Sequence, residues 1–549
     1  MQRNHETGAA LAFHNATKYV LMRDGSGEEQ LLMGTPPVLE GPIWQEDWSL
    51  EPFPFKIYET LAPIRLPRAF PPSSLPALEA IARTGAEPIG VIVPDLAALA
   101  RIGLLSNGLL NRQRTSQSGA TIEYRTAGGT GARYHLELYF VCTDLPDLGA
   151  GIYHYAAHDH TLRQLRAGDF RGVLIEATGS EPAVTHAPVM LAVTSTFWRN
   201  AWRYKGRAYR HTFWDAGTSL SHVLAVAASA GLPTELVLGY ADAPVNALLG
   251  VDGEREAAVA LCAIGRMDGP VPRASAAQAL NYPIHAISPR EVMFPSIPAM
   301  HDASSLASGA EASTWRAEPL RRVPPAPQGT VISLQPLPPH QLPPVSIEEI
   351  ILRRRSTRHY DTAVEISFEA FSTLLDRSSR GFAADCLAPD AEPLHDLYLI
   401  VNGVVGLAPG VYLHHPRRNA VALLEEGNFR QQAERLAARQ GYAADAHVNC
   451  YYLTDLGPLL NRYGNRGYRL AQLGCSLSAG KLHMGTHTLG LGAVGSTSLD
   501  DEVIEFFSPH AAGKSYMFIT VFGKRRRTSS HQGEGGRGPG QSHLKSLFP

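Results

Sequence analysis

Cysteine is scarce and scattered. Cys142, Cys262, Cys386, Cys450 and Cys475 are the only five in 549 residues. An odd number with no CxxC pair argues against a disulfide framework and against a structural zinc site. Long apolar runs are lacking: no stretch reaches the roughly 18 uninterrupted residues of a membrane span. The first residues include Arg3, His5 and Glu6 with no apolar run behind them, so no signal peptide is expected. An excess of one charge is also missing. A formal net charge of −2 argues against a general nucleic-acid binder and a strongly cationic membrane surface. These absences together point to a reducing, cytoplasmic setting with neither nucleic acid nor membrane as partner. What is present is a globular composition, 44% hydrophobic and 18% charged, long enough for more than one domain.

The densest chemistry lies in Arg353-Arg354-Arg355-Ser356-Thr357-Arg358-His359-Tyr360. A short helix precedes it, with Ser346 placed to cap and Glu349 placed to complete a capping box. Arginines offer planar, bidentate contacts and serine adds a neutral donor, so the stretch can cradle a phosphate. A solvated basic face or a nucleic-acid patch is the plainer alternative.

Apolar spacing predicts helices over Leu75–Arg83, Leu96–Leu110 and about Tyr209–Gly231, the last stopping at a glycine C-cap. Strands are predicted at Leu136–Val141, Gly151–Tyr155, Ala187–Thr196 and Ala258–Ile264. The expected division is a leader over residues 1–75, a domain over 76–266, a Pro/Ala/Ser-rich linker over 267–345, a second domain over 346–527 and a disordered tail over 528–549.

The second half repeats the first. Setting residue n against n + 259 aligns Tyr139 with Tyr398, Gly151 with Gly410, Gly168 with Gly427 and Arg203-Tyr204 with Arg462-Tyr463. Arg207 and Arg210 fall on Arg466 and Arg469, and Gly231-Leu232 on Gly490-Leu491. A period this long means tandem domains rather than a solenoid.

The segment "RRRSTRHYD", followed by "ISFEAFSTLL", resembles the opening of the flavin-binding module of the nitroreductase superfamily, and more narrowly the SagB/ThcOx-type dehydrogenases. The resemblance implies an α+β fold, here two tandem nitroreductase-like domains forming an intrachain pseudo-dimer, with a further homodimer left open. It implies FMN as cofactor, its phosphate held at Arg354, Arg355, Ser356 and Arg358. "YRTAGGTGARYHLELYF" is similar to the loop a partner subunit supplies, with Arg125, Gly128, Gly129, Thr130, Gly131, Ala132 and Arg133 in place. Two departures stand out: Gly128-Gly129 replaces the family's Pro-Ser, and His135 replaces a proline. "GLGAVGS" implies backbone donors for the flavin edge from Gly490, Leu491 and Gly492, and the basic end of the module implies Lys524 and Arg525.

The losses are complementary. The second half keeps the phosphate, ring-edge and C-terminal basic elements, and the first keeps the partner loop, whose second copy is the dissimilar "ADCLAPDAE". One composite FMN site across the two halves is therefore expected. The family implies oxidation of azoline rings in ribosomally made peptides, alongside a cyclodehydratase-type partner enzyme. Its Lys-Tyr pair corresponds to Arg203-Tyr204 and Arg462-Tyr463. Arginine is no ordinary base, so Tyr204 or Tyr463 is the catalytic candidate, provided the adjacent arginine lowers its pKa. A brace at the domain interface is the plainer role for this Arg/Tyr cluster. An NAD(P)H-dependent reductase of nitro compounds or quinones, or a flavin-free scaffold, is the alternative. The three histidines of "HYAAHDH" (154–160) have metal-like spacing but read as part of a strand and turn, and no metal is expected.

Overall fold

The computed structural model describes residues 3–23, 29–33, 46–83, 85, 90–115, 119 and 121–526. The expected tail over 528–549 lies outside them. Two seven-stranded sheets form the frame. The first contains β1 (Pro63–Arg65), β2 (Leu136–Cys142), β3 (Gly151–Ala156), β4 (Thr161–Ala167), β5 (Val189–Thr196), β6 (Thr234–Val237) and β7 (Glu256–Ile264). The second contains β8 (Thr330–Ser333), β9 (Asp396–Val401), β10 (Gly410–His415), β11 (Ala420–Glu426), β12 (Val448–Thr454), β13 (Gly492–Ser496) and β14 (Ser515–Gly523). In space the first sheet runs β6-β7-β5-β2-β3-β4-β1 and the second β13-β14-β12-β9-β10-β11-β8. Adding seven to each label turns one order into the other. Neighbouring strands are antiparallel throughout. Strands β2, β5, β9 and β12 are buried along their whole length. Both sheet faces are covered, so these strands read as near-continuous apolar runs instead of alternating.

The helices that matter below are α1 (Gly8–Ala16), α2 (Phe197–Tyr204), α3 (Ala208–Ser229), α4 (Asp242–Leu249), α5 (Ser296–Ala303), α6 (Gly309–Arg316), α7 (Ile347–Arg353), α8 (Leu456–Tyr463), α9 (Arg466–Thr488) and α10 (Asp500–Phe507). Helix α3 stops as expected: Gly231 takes φ 69° and Leu232 N–H donates to Ala227 O at 3.0 Å. The helix predicted to reach Leu110 ends at Asn107, and Leu109–Thr115 opens an antiparallel hairpin with Thr121–Arg125. At α7, Ser346 Oγ accepts from Glu349 N–H at 3.3 Å as expected. The Glu349 carboxylate instead pairs with Arg353 one turn on, so the ion pair draws it away from the reciprocal capping bond. Residues 267–345 contain α5, α6 and β8, which adds to the edge of β11.

Helices α3 and α9 are buried on nearly every side and pack on each other within one apolar core that includes residues of both sheets. All-round burial explains why neither shows a clean polar face. They touch at equivalent positions: Gly217 meets Ser476, and Ser221 meets Gly480. A Cβ on Gly217 would lie 2.6 Å from Leu473 O, so glycine sets how closely the helices approach.

Ion pairs repeat across this interface. Asp242 at the start of α4 takes Arg466 and Arg469 of the other half at 2.7 and 2.8 Å. Asp500 at the start of α10 takes Arg207 and Arg210 in the same way. Helices α1 and α5 complete the symmetry: His14 Nδ1 lies 3.3 Å from Tyr468 OH, and His301 Nδ1 lies 3.3 Å from Tyr209 OH. Four of the arginines in the repeated Arg/Tyr clusters thus brace the two halves. Among the described residues no helix is long and apolar enough to cross a membrane.

Candidate functional site

After α7 the chain is drawn alongside β13. Ser356 forms a parallel bridge with Ala493, and Thr357 N–H donates to Ala493 O at 2.9 Å. Tyr360 then bridges Arg525, just past β14, and Arg526 N–H donates to His359 O. The Arg-Ser-Thr-Arg segment, the glycine-rich strand and the basic C-terminal run therefore meet. Gly492 makes this possible, because a Cβ there would sit 2.2 Å from Thr357 Oγ1. Gly490 takes φ 69° and turns the chain out of α9, while Leu491 is buried and its N–H returns to Thr486 O.

The first half reaches the same place. Arg354 is buried and donates from Nε and Nη2 to Thr126 O at 3.1 and 2.7 Å. Gly128 lies beside its Nη1. From the 109–115 strand, Arg112 donates to Leu352 O and Arg354 O at the end of α7. Charge of one sign gathers here. Burial lowers Arg354 to about 10, with Arg112 adding to the effect. Arg112 is itself lowered by burial and by Arg355. His487, whose Nε2 lies 3.0 Å from Arg355 O, is held down to about 3 by burial and by Arg354, Arg525 and Arg355. Arg355, Arg358, Lys524 and Arg525 are exposed, and among the described residues no carboxylate pairs with them. The buried Thr357 Oγ1 has no hydrogen-bond partner among the described residues.

The first-half residues divide. Arg125 turns inward to Asn107 Oδ1 at 2.9 Å and Pro54 O at 2.7 Å, and Arg133 pairs with Glu51 at 2.7 Å over the Trp202 ring. Thr130 N–H and Oγ1 donate to Asp215. The N–H groups of Gly128 and Gly129 have no acceptor among the described residues. Gly131, with φ 63°, lies under Tyr204; a Cβ there would be 2.5 Å from the tyrosine OH.

The two tyrosines are separated. Tyr204 stands at the glycine loop, and its hydroxyl has no hydrogen-bond partner among the described residues. Tyr463 lies with the other loop: its OH donates to Cys386 O at 2.7 Å and accepts from Leu320 N–H at 2.9 Å. Burial raises both to about 12 and outweighs the lowering by Arg203 and Arg462, so the expected activation by an adjacent arginine does not occur.

At the symmetry-related junction the chain bonds to itself. Ala384 pairs in parallel with Leu236 of the edge strand β6, as Ser356 pairs in parallel with Ala493 of the edge strand β13. The Asp385 carboxylate accepts from Leu238 N–H and Gly239 N–H, both at 2.9 Å. Trp315 of α6 packs on Gly239 and donates to Tyr463 O at 2.8 Å. The 154–160 histidines disperse: His154 goes to Glu137, and His160 to Tyr155 and Pro67 O.

Sequence reasoning missed Arg112, His487, Asp215, Asp385 and Trp315. Asp215 left a trace, because the n + 259 register sets it against Gly474, and Asp385 lay in the dissimilar second copy of the loop.

Two matching sheets around a pair of long packed helices define the nitroreductase class of α+β fold. A crystal structure of a protein from Anabaena variabilis, described as a nitroreductase, covers 94% of this chain and 99% of its own, at 24% identity and TM-score 0.70. The Nitroreductase family model matches residues 126–266. A Methanocaldococcus jannaschii protein named as a nitroreductase is 27% identical over 164 residues, 29% of this chain and 82% of its own. Residues 126–266 thus match the nitroreductase family, within a fold that has a solved counterpart along nearly the whole length of the chain.

Proposed function

We propose that the chain is an FMN-dependent oxidoreductase with one composite cofactor cleft, of the SagB-type dehydrogenase kind, acting on an azoline or similar bond in a ribosomally made peptide. One observation carries the cofactor reading: an unpaired cationic cluster and a glycine cradle meet at a junction built from both halves. The residues fit a flavin mononucleotide. Arg355, Arg358, Lys524 and Arg525 are free to neutralise a phosphate dianion, and Ser356 and Thr357 can donate to it. The N–H groups of Gly128 and Gly129 can serve the ring, whereas those of Gly490 and Leu491, expected as ring-edge donors, are spent on His487 O and Thr486 O. Arg354, Arg125, Thr130 and Arg133 support the walls, since each is already engaged. Bound FMN supplies two-electron hydride chemistry. Asp385 and Trp315 keep the second cleft closed, which favours a single flavin per chain.

The substrate class is set by the proton. Azoline oxidation requires a base, and a tyrosine held near 12 keeps its proton at neutral pH. The Tyr204 hydroxyl is therefore a hydrogen-bond donor. That observation favours a second reading, reduction of nitro compounds or quinones with NAD(P)H as donor, in which a donor polarises the substrate oxygen. A cyclodehydratase-type partner belongs to the first reading alone.

The test is the visible spectrum and flavin content of the purified chain. About one FMN per chain is expected. Arg355→Ala with Arg358→Ala removes two charge-assisted contacts of ~1.5–3 kcal/mol each, lowering affinity by at least about a hundredfold. Two flavins per chain would overturn the single cleft. No flavin after reconstitution would leave the scaffold. Anaerobic mixing of the flavin-loaded protein with NADPH or with a thiazoline peptide then separates the substrate readings.

A further inference from the structure

Residues 126–135 lead from the carbonyl that Arg354 grips to the start of β2. Three of them have left-handed backbone: Gly131 (φ 63°), Ala132 (φ 57°) and Tyr134 (φ 43°). For alanine and tyrosine that conformation is strained and persists only where the surroundings over-determine it. The constraint comes from α3. The Asp215 carboxylate accepts from Thr130 N–H at 2.8 and 3.0 Å and from Thr130 Oγ1 at 2.7 Å, and lies 2.9 Å from His135 Nε2. His135 Nδ1 lies 2.9 Å from Ser195 Oγ.

This Ser-His-Asp array has the connectivity of a hydrolytic triad. Ser195 and His135 are wholly buried, however, and Ser195 Oγ is also 3.2 Å from Thr212 Oγ1. No substrate reaches the hydroxyl, so the array is a brace.

The brace exists in one half only. In the n + 259 register Asp215, His135 and Ser195 become Gly474, Leu394 and Thr454. The half without the brace has its loop elsewhere, laid on β6 with Asp385 as its latch. The half with it keeps Gly128–Gly131 beside Arg354 and Tyr204.

We infer that Asp215 is a positioning residue for cofactor binding: through Thr130 and His135 it holds the Gly128–Gly131 loop as the first-half wall of the flavin cleft. The inference rests on the flavin reading above. His135 replaces a proline by making the strained loop part of a hydrogen-bonded chain rather than a rigid turn.

The full-length chain is titrated with FMN and with riboflavin, which lacks the phosphate. Asp215→Asn and Thr130→Ala are each expected to lower affinity for both flavins by the same factor, about tenfold, and to shift the visible band of the bound flavin. Their combination is expected to be less than additive, because both variants weaken the Asp215–Thr130 contact. Arg355→Ala with Arg358→Ala, in contrast, weakens FMN and leaves riboflavin unchanged. Variants that bind both flavins like wild type with unaltered spectra overturn the inference, as do additive effects. If Asp215→Asn does not fold, Thr130→Ala decides alone, since it leaves the Asp215–His135 bond intact. A wild-type chain that takes up no flavin overturns the flavin reading and this inference with it, a result distinct from a flavin-binding wild type with indifferent variants.

Discussion

Tyr204 and Tyr463 occupy matching positions in the repeat and do different work. Tyr463 spends its hydroxyl on Cys386 O and Leu320 N–H. Tyr463→Phe should therefore cost about 1–2 kcal/mol, read as a lower Tm, without changing flavin content. The Tyr204 hydroxyl has no such partner, so Tyr204→Phe should leave stability within about 0.5 kcal/mol and show its effect in turnover. Titrating residues make a second prediction at this scale. Asp500 is buried, and the arginines beside it hold it down to about 2 against an ordinary 3.8. Its folded pKa is depressed, so its contribution is complete above the ordinary value and lost as pH falls toward 2. Burial holds His395 and His414 near 3 against an ordinary 6.5. The unfolded chain binds their protons first, so stability falls between 6.5 and 3. Both effects have the same sign. Thermal unfolding followed from pH 7 to pH 4 should show a progressive fall in Tm beginning near pH 6.5, and a flat profile would contradict it.

At the scale of elements, α3 and α9 control the joint between halves. The Cβ of Gly217→Ala would meet the backbone at Leu473 O and Leu477 N, whereas that of Gly480→Ala would first meet the movable hydroxyl of Ser221. The first should cost about 1–3 kcal/mol and the second distinctly less, measured by denaturant unfolding. The helix starts hold the same joint by charge. Asp242→Ala leaves Arg466 and Arg469 buried without their anion and should cost about 3–5 kcal/mol. Much at this scale was legible beforehand. The start and stop of α3, the strands β2, β3, β5 and β7, and the Ser346 cap follow from local spacing and local hydrogen bonding. The hairpin after Asn107 was not, because strongly helical residues precede it and its own strands, "LLNRQRT" and "TIEYR", present no run of apolar residues.

At the scale of the molecule, a shared core and reciprocal Asp–Arg pairs make the halves one folding body. A protease cut between Gly269 and Arg273, in an exposed stretch without helix or strand, should leave both fragments together on size exclusion. Separation of the fragments would show that the core is divided.

The n + 259 offset itself was open to the sequence, because identical glycines and arginines at a constant spacing can be read whatever the fold. So was the cationic character of residues 353–358, since charge is a property of composition. Which of those residues stay exposed and which are turned inward was decided only in three dimensions. Arg354, read as a phosphate ligand, is turned onto Thr126 O by a neighbour 228 positions away. Asp385 lay in a segment read as lost, yet it occupies two backbone donors of the other half. Local spacing carries helix caps and strand periods. The partner that consumes a hydrogen bond or leaves one free is set by contacts between distant segments, and those exist only once the two halves have packed.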